Sequence, residues 1–214
     1  MKEDSVDASS KLVLYGARTG NSLRAAVGLV EAGLIFEALR VDLRGGEQRS
    51  EAFLKMNPAG QVPVLRVEHR AASSPLLLSQ SNAILMYAAE HSQGRLLPGV
   101  ADPDRSKILE AFFFFSSDVI GPSGAVFILR ARGATDAADM LVDRYMSFVR
   151  KSERFLTSAG FMGGRELSIA DVAGYTIIRS FADSVPWHEL TRLAAWYKQM
   201  DARPGIRVGM ALFG

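Results

Sequence analysis

Tyr15, Thr19, Asn21 and Ser22 carry hydrogen-bonding heads within nine residues, Tyr15-Gly16-Ala17-Arg18-Thr19-Gly20-Asn21-Ser22-Leu23. The stretch follows an apolar run and opens a helical pattern. Its phenol, amide and two hydroxyls can all donate a hydrogen bond, so they could stabilise negative charge on a bound ligand. The same residue types also start helices, and Asn21 or Ser22 read alone is equally a helix cap. The chain contains no cysteine. That removes disulfides, thiolate metal sites, a CxxC redox pair and a cysteine nucleophile together, so any sulfur chemistry must use a ligand's sulfur.

Three further places carry recognition chemistry. In Asn57-Pro58-Ala59-Gly60-Gln61-Val62-Pro63-Val64-Leu65, a proline stands at the start of a strand, where its missing N–H is tolerated. A Val62-Pro63 step with a cis bond would turn the N–H and C=O of Val62 outward, able to pair with an extended, peptide-like ligand by strand addition. Gln80-Ser81 opens a helical pattern, and the unpaired N–H groups of a helix start, with a serine hydroxyl, form a carboxylate socket. Gln48 lies in the loop after the second strand. His69, His91 and His188 are too dispersed for a metal site, and no metal is expected.

Composition narrows the class. With 214 residues, 48% of them hydrophobic, the chain can bury a real core, as one large domain or two smaller ones. Its 25 basic and 23 acidic residues nearly balance and form no long run, so no nucleic-acid groove is expected. No apolar stretch reads as the ~20 residues of a membrane span, and the polar, acidic stretch 1–10 reads as a loose tail rather than a signal peptide. A cytoplasmic protein with no membrane partner is the expectation.

The elements that must position these residues follow from periodicity. The apolar run 11–15 reads as a strand, 21–32 as a helix closed by Gly33, 35–43 as a second strand, and 49–56 as a short helix stopped by Asn57-Pro58. The runs 62–67 and 75–78 flank a polar turn as a hairpin, and 81–91 is helical. This βαβαββα order is that of a thioredoxin-like domain over 11–92, with a four-stranded mixed sheet. Gly, Pro and Asp mark 93–103 as a linker. Beyond it, 107–130 with a break or kink at Gly121-Pro122, 136–157, 169–182 and 189–201 read as helices, giving an all-helical domain over 104–214. The expected fold class is thus α+β/α, in two domains. Of Phe112 to Phe115, most must fill the bundle core, because four aromatics in a row cover every face of a helix.

These features resemble the cytosolic glutathione transferases. The resemblance is carried by Asn57-Pro58 with Gln61 to Leu65, by Gln80-Ser81 followed by Ala83-Ile84-Leu85, and by Ser168-Ile169-Ala170-Asp171, which is similar to the family's capping box. It implies reduced glutathione as cosubstrate, with Val62, beside Pro63, on its cysteinyl backbone. Gln80 and Ser81 would hold the γ-glutamyl end, and Gln48 and Gln61 would reach the glycyl side or peptide backbone. It also implies a homodimer, and a small hydrophobic electrophile or a disulfide as second substrate, with Phe112 to Phe115, Ser116, Val119 and Phe127 as candidate wall residues. Most relatives have Glu-Ser where this chain has Gln80-Ser81.

Thiol activation then falls to the opening stretch. A free thiol has a pKa near ~8.5, and lowering it by about two units takes roughly 2.7 kcal/mol. One hydrogen bond to a charged group contributes ~1.5–3 kcal/mol. The loop is most similar to that of the bacterial nu class, which reads Thr-Pro-Asn where this chain reads Thr19-Gly20-Asn21; there the threonine hydroxyl and asparagine amide contact the sulfur, and small disulfides are reduced. Thr19 and Asn21 are the leading donors. Ser22 matches the serine of the delta and theta classes, and Tyr15 matches the tyrosine of the alpha, mu and pi classes or else packs within its strand. The expected activity is glutathione conjugation, a detoxification reaction, or glutathione-dependent disulfide reduction. The alternative is a non-catalytic carrier or interaction module with the same fold.

Overall fold

The computed structural model describes residues 10–69 and 72–214. The tail expected over 1–10 lies outside the described residues except for Ser10, as do Arg70 and Ala71 of the hairpin turn. The chain forms two compact units, one running to Leu97 and regaining Ala202–Gly214, the other Pro98–Asp201.

In the first unit a four-stranded sheet runs in the order β2-β1-β3-β4. Strand β1 (Lys11–Gly16) pairs parallel with β2 (Glu37–Arg40) and antiparallel with β3 (Val64–Glu68), which pairs antiparallel with β4 (Leu76–Leu78). Leu12, Val13 and Leu14 are all buried, as a central strand covered on both faces requires. The expected second strand over 35–43 shortens to four residues, and Ile35 is 93% exposed. Helices α1 (Gly20–Glu31), α2 (Glu51–Met56) and α3 (Ser81–Glu90) complete the βαβαββα order. Between β2 and α2 the Asp42 carboxylate accepts the N–H groups of Arg44 and Gly45 at 3.0 Å each, and Gly46 takes a left-handed φ of 80°. That turn delivers Gln48 to the short 3-10 segment Glu47–Arg49.

The carboxy terminus departs from expectation. The stretch 202–214 was expected within the helical domain, yet α9 (Pro204–Ala211) packs along α1 in the first unit. A Cβ on Gly209 would stand 2.7 Å from Val27 Cα, so glycine sets the closeness of the two helices. Arg203 ties the start of α9 to Glu31 at the end of α1 at 2.9 Å. No helix was foreseen after Pro204.

The second unit is helical: α4 (Asp104–Phe113), α5 (Gly121–Ala131), α6 (Thr135–Ser152), α7 (Ile169–Arg179) and α8 (Thr191–Ala202), whose last residue belongs to the first unit. The expected break at Gly121-Pro122 is instead a π-helical segment, Phe114–Ile120, joining α4 to α5. Wider i→i+5 bonding just ahead of Pro122 lets one helical run pass a residue that lacks an N–H. Phe112, Phe114 and Phe115 are buried and Phe113 is 58% exposed, so three of the four fill the core. Val119 is buried with them, whereas Phe127 is 59% exposed. This run, 104–131, is long and apolar enough by length and composition to cross a membrane, against the expectation that no stretch would be. A mostly buried core helix of a folded bundle passes the same test; in this run 33% of the apolar window is buried, with Phe112, Phe114, Phe115 and Val119 facing inward.

Helix α7 is the centre of the unit, buried from Ile169 to Ile178, with Gly174 against the ring of Phe115. Its capping box is complete. Asp171 accepts from Ser168 N and Oγ at 2.9 and 2.8 Å, and from Met162 N and Trp196 Nε1 at 2.9 and 2.8 Å. Burial pushes the Asp171 carboxyl up to about 6, the four donors opposing the rise.

Candidate functional site

The opening stretch runs from the end of β1 into α1. Thr19 is the N-cap, extended at φ −119° and ψ 151°, and its Oγ1 accepts the N–H of Ser22 at 3.3 Å. Thr19 and Ser22 also share a hydroxyl–hydroxyl bond of 3.0 Å, and Ser22 Oγ accepts the N–H of Ala17 at 3.3 Å. Ser22 is fully buried, Thr19 half-buried and Asn21 exposed. The geometry therefore separates the three. Ser22 faces inward and braces the loop, while Thr19 and Asn21 stand where a ligand can reach them, at the positive end of α1.

Tyr15 points elsewhere. It packs against the buried cluster of Val41, Phe53 and Val64, alongside Leu43, Met56, Val62 and Leu77. This is the strand-packing arrangement, with the ring leaning on the α2 side of the sheet.

Sequence reasoning missed Arg24. It is fully buried, and its Nη1 donates to Asn21 Oδ1 at 2.8 Å and to Ser81 Oγ at 2.9 Å. One guanidinium thus joins the loop at the start of α1 to the start of α3, Arg24 and Ser81 being 57 residues apart in sequence. Burial pulls its pKa down to about 10. The available signal was a lone arginine within Leu23-Arg24-Ala25-Ala26-Val27, otherwise the apolar face of α1.

Ser81, itself buried, is the first residue of α3, and Gln80 is its N-cap with an exposed side chain making no cap bond. Val62-Pro63 is cis, as expected, and antiparallel pairing of Tyr15 with Val64 sets it at the end of the sheet where β1 runs into the loop. Asn57 staples the preceding turn, donating from Nδ2 to Gln61 O at 2.6 Å and accepting from Ala59 N at 3.1 Å. Gly60 comes so close to Gln48 that an added Cβ would lie 3.2 Å from its carbonyl oxygen. Gln48 donates to Leu43 O at 3.4 Å, while its buried Oε1 has no partner among the described residues. The predicted residues thus form groups within one unit: Asn21 and Ser81 joined by Arg24, Thr19 bonded to Ser22, and Gln48 beside Gly60-Gln61. No cluster of three or more metal-ligating side chains occurs among the described residues.

A family model described as "Glutathione S-transferase, N-terminal domain" matches residues 10–90. Glutathione S-transferase 3 of Zea mays is 30% identical over 219 residues, spanning 94% of this chain and 93% of its own. The chain belongs to the glutathione S-transferase family. Among other relatives of this glutathione S-transferase, the disulfide-bond oxidoreductase YfcG of Escherichia coli is 26% identical over 206 residues, covering 93% of each chain. A glutathione transferase homolog from Lodderomyces elongisporus, solved with two glutathione molecules per subunit, superposes with a TM-score of 0.83 at 21% identity, over 94% of this chain and 97% of that one. That superposition shows the shared fold.

Proposed function

We propose that this glutathione S-transferase binds reduced glutathione and activates its thiol by hydrogen-bond donation from Thr19 and Asn21. The observation that supports the reading is Arg24 bridging Asn21 and Ser81, which holds the proposed sulfur donor and the proposed carboxylate-binding hydroxyl in one frame. Gln80 and Ser81 take the γ-glutamyl end, Val62 the cysteinyl backbone, and Gln48 and Gln61 the glycyl side. Donation to the thiolate lowers the thiol pKa and needs no general base, which suits a site without Cys or His.

The thiolate then attacks either a small hydrophobic electrophile or a disulfide. In the second case two glutathione thiols become one disulfide, and the substrate disulfide takes up two electrons and two protons as two thiols. Likeness to YfcG, named as a disulfide-bond oxidoreductase, supports this branch. A cytoplasmic homodimer is the proposed setting.

Calorimetry with reduced glutathione, followed by rates with an aryl halide and with 2-hydroxyethyl disulfide, tests the reading. Binding with turnover of at least one substrate is expected. Glutathione binding with a thiol pKa equal to that in free solution and no turnover would favour the carrier alternative, and absence of binding would sink the glutathione reading altogether.

A further inference from the structure

Arg24 is a buried cation for which the described residues supply no anion. Its hydrogen bonds go to an amide oxygen and a hydroxyl, and its Nε has no partner. A buried guanidinium without a carboxylate is costly, so hydrophobic packing of α1 does not account for it.

What it does follows from donor counting. Arginine has only donors, so the Asn21 atom facing it must be Oδ1, as the 2.8 Å bond has it. The amide is planar, and its Nδ2 hydrogens therefore point away from Arg24. At Ser81, donation from Nη1 at 2.9 Å occupies an oxygen lone pair and leaves the O–H free to donate. Left alone, Asn21 could present oxygen or nitrogen and Ser81 a lone pair or a proton. Arg24 removes the wrong choice at both.

We propose that Arg24 is a positioning residue which, without touching the ligand, turns Asn21 and Ser81 into donors toward the thiolate and the γ-glutamyl carboxylate of bound glutathione. The inference rests on the reading under Proposed function.

The test measures glutathione affinity by calorimetry and the bound-thiol pKa by thiolate absorbance near 240 nm against pH. Wild type is compared with Arg24→Met, Arg24→Lys, Asn21→Ala and the double variants of each Arg24 change with Asn21→Ala. Arg24→Met should raise the bound-thiol pKa by about one unit, a roughly tenfold loss of thiolate at neutral pH, with Arg24→Lys recovering part of it. In the Asn21→Ala background the same Arg24 changes should leave the thiol pKa within about 0.2 units, because the route through Asn21 is already gone. A merely structural arginine would lower the melting temperature without moving the pKa. Should Arg24→Met not fold, the Arg24→Lys cycle carries the same comparison. Undiminished pKa shifts in the Asn21→Ala background, or none in either single variant, overturn the role of Arg24 while wild-type binding leaves the functional reading standing. Wild-type protein that binds no glutathione overturns both.

Discussion

Thr19 Oγ1 and Ser22 Oγ lie 3.0 Å apart, one hydroxyl half-buried at the loop surface and the other fully buried beneath it. Ser22 also receives the Ala17 N–H, so its own proton can go to Thr19 when Thr19 turns its proton toward an anion. On the proposed reading, an anion at Thr19 would reverse the present Thr19-to-Ser22 donation and give a chain of donors, Ala17 to Ser22 to Thr19 to sulfur, each bond strengthening the next. Thr19→Ala and Asn21→Ala should each lower turnover about 10- to 100-fold with glutathione affinity largely spared, because a bond to developing charge contributes roughly 1.5–3 kcal/mol. Ser22→Ala should cost less in turnover than Thr19→Ala but about 1–3 kcal/mol in stability, by orphaning the buried Ala17 N–H. Steady-state kinetics beside denaturant melts separate the two. A Ser22 variant with greater turnover loss than Thr19→Ala at unchanged stability would make Ser22 the direct donor.

Tyr15 gives the sharpest contrast. Its ring packs on Val41, Phe53 and Val64, so removing only the hydroxyl leaves the packing intact. Tyr15→Phe should keep turnover within about twofold and stability within about 0.5 kcal/mol. A large loss of turnover in this variant, with Thr19→Ala and Asn21→Ala unaffected, would transfer activation to the phenol.

Asp171 predicts a pH dependence of folding. Its carboxyl is raised from an ordinary 3.8 to about 6, chiefly by burial, so the folded state holds that proton more tightly than the unfolded chain. Its contribution is fully present below pH 4 and falls away as pH rises through about 6, by on the order of 3 kcal/mol. Asp171→Asn removes this titration, but its amide turns an N–H toward the Ser168 donors and should destabilise by about 2–4 kcal/mol at neutral pH. The difference in unfolding free energy between the two proteins should therefore narrow from pH 4 to pH 6. A difference that stays constant or widens would show that the carboxylate is not raised.

Gly209 predicts how firmly the chain end is held. A methyl there meets Val27 Cα and Cγ2 at 2.7 Å and its N at 2.9 Å, and turning the side chain leaves the backbone clash in place. Gly209→Ala should cost about 1–3 kcal/mol through separation of α9 from α1. Hydrogen exchange should show faster opening of α9 than in the wild type. An unchanged melt would mean that the helices part without cost. The same end of the chain carries Phe213, whose ring lies 2.6 Å from where a Gly16 Cβ would stand, so its docking also backs the start of the site loop.

The sequence itself determined the element types, because periodicity and breakers are local. The continuous apolar run of Lys11–Gly16, helical spacing across α1, the stop at Asn57-Pro58 and the capping box at Ser168 and Asp171 are fixed by neighbours along the chain. It also excluded protein-cysteine chemistry outright and named Thr19, Asn21, Ser22, Gln48, Gln80 and Ser81 by type and place. Tertiary structure alone decided which of them are buried and which are open to solvent. Whether Ser22 points in or out depends on what lies beneath it, and whether Tyr15 packs or reacts depends on Phe53 and Val64, both far along the chain. Arg24 acquired its meaning only when α1 and α3 came side by side, since a residue 57 positions away supplies half of its bonding. The return of α9 to α1 was hidden for the same reason: it rests on the close approach of Gly209 to Val27, a contact that no local pattern encodes.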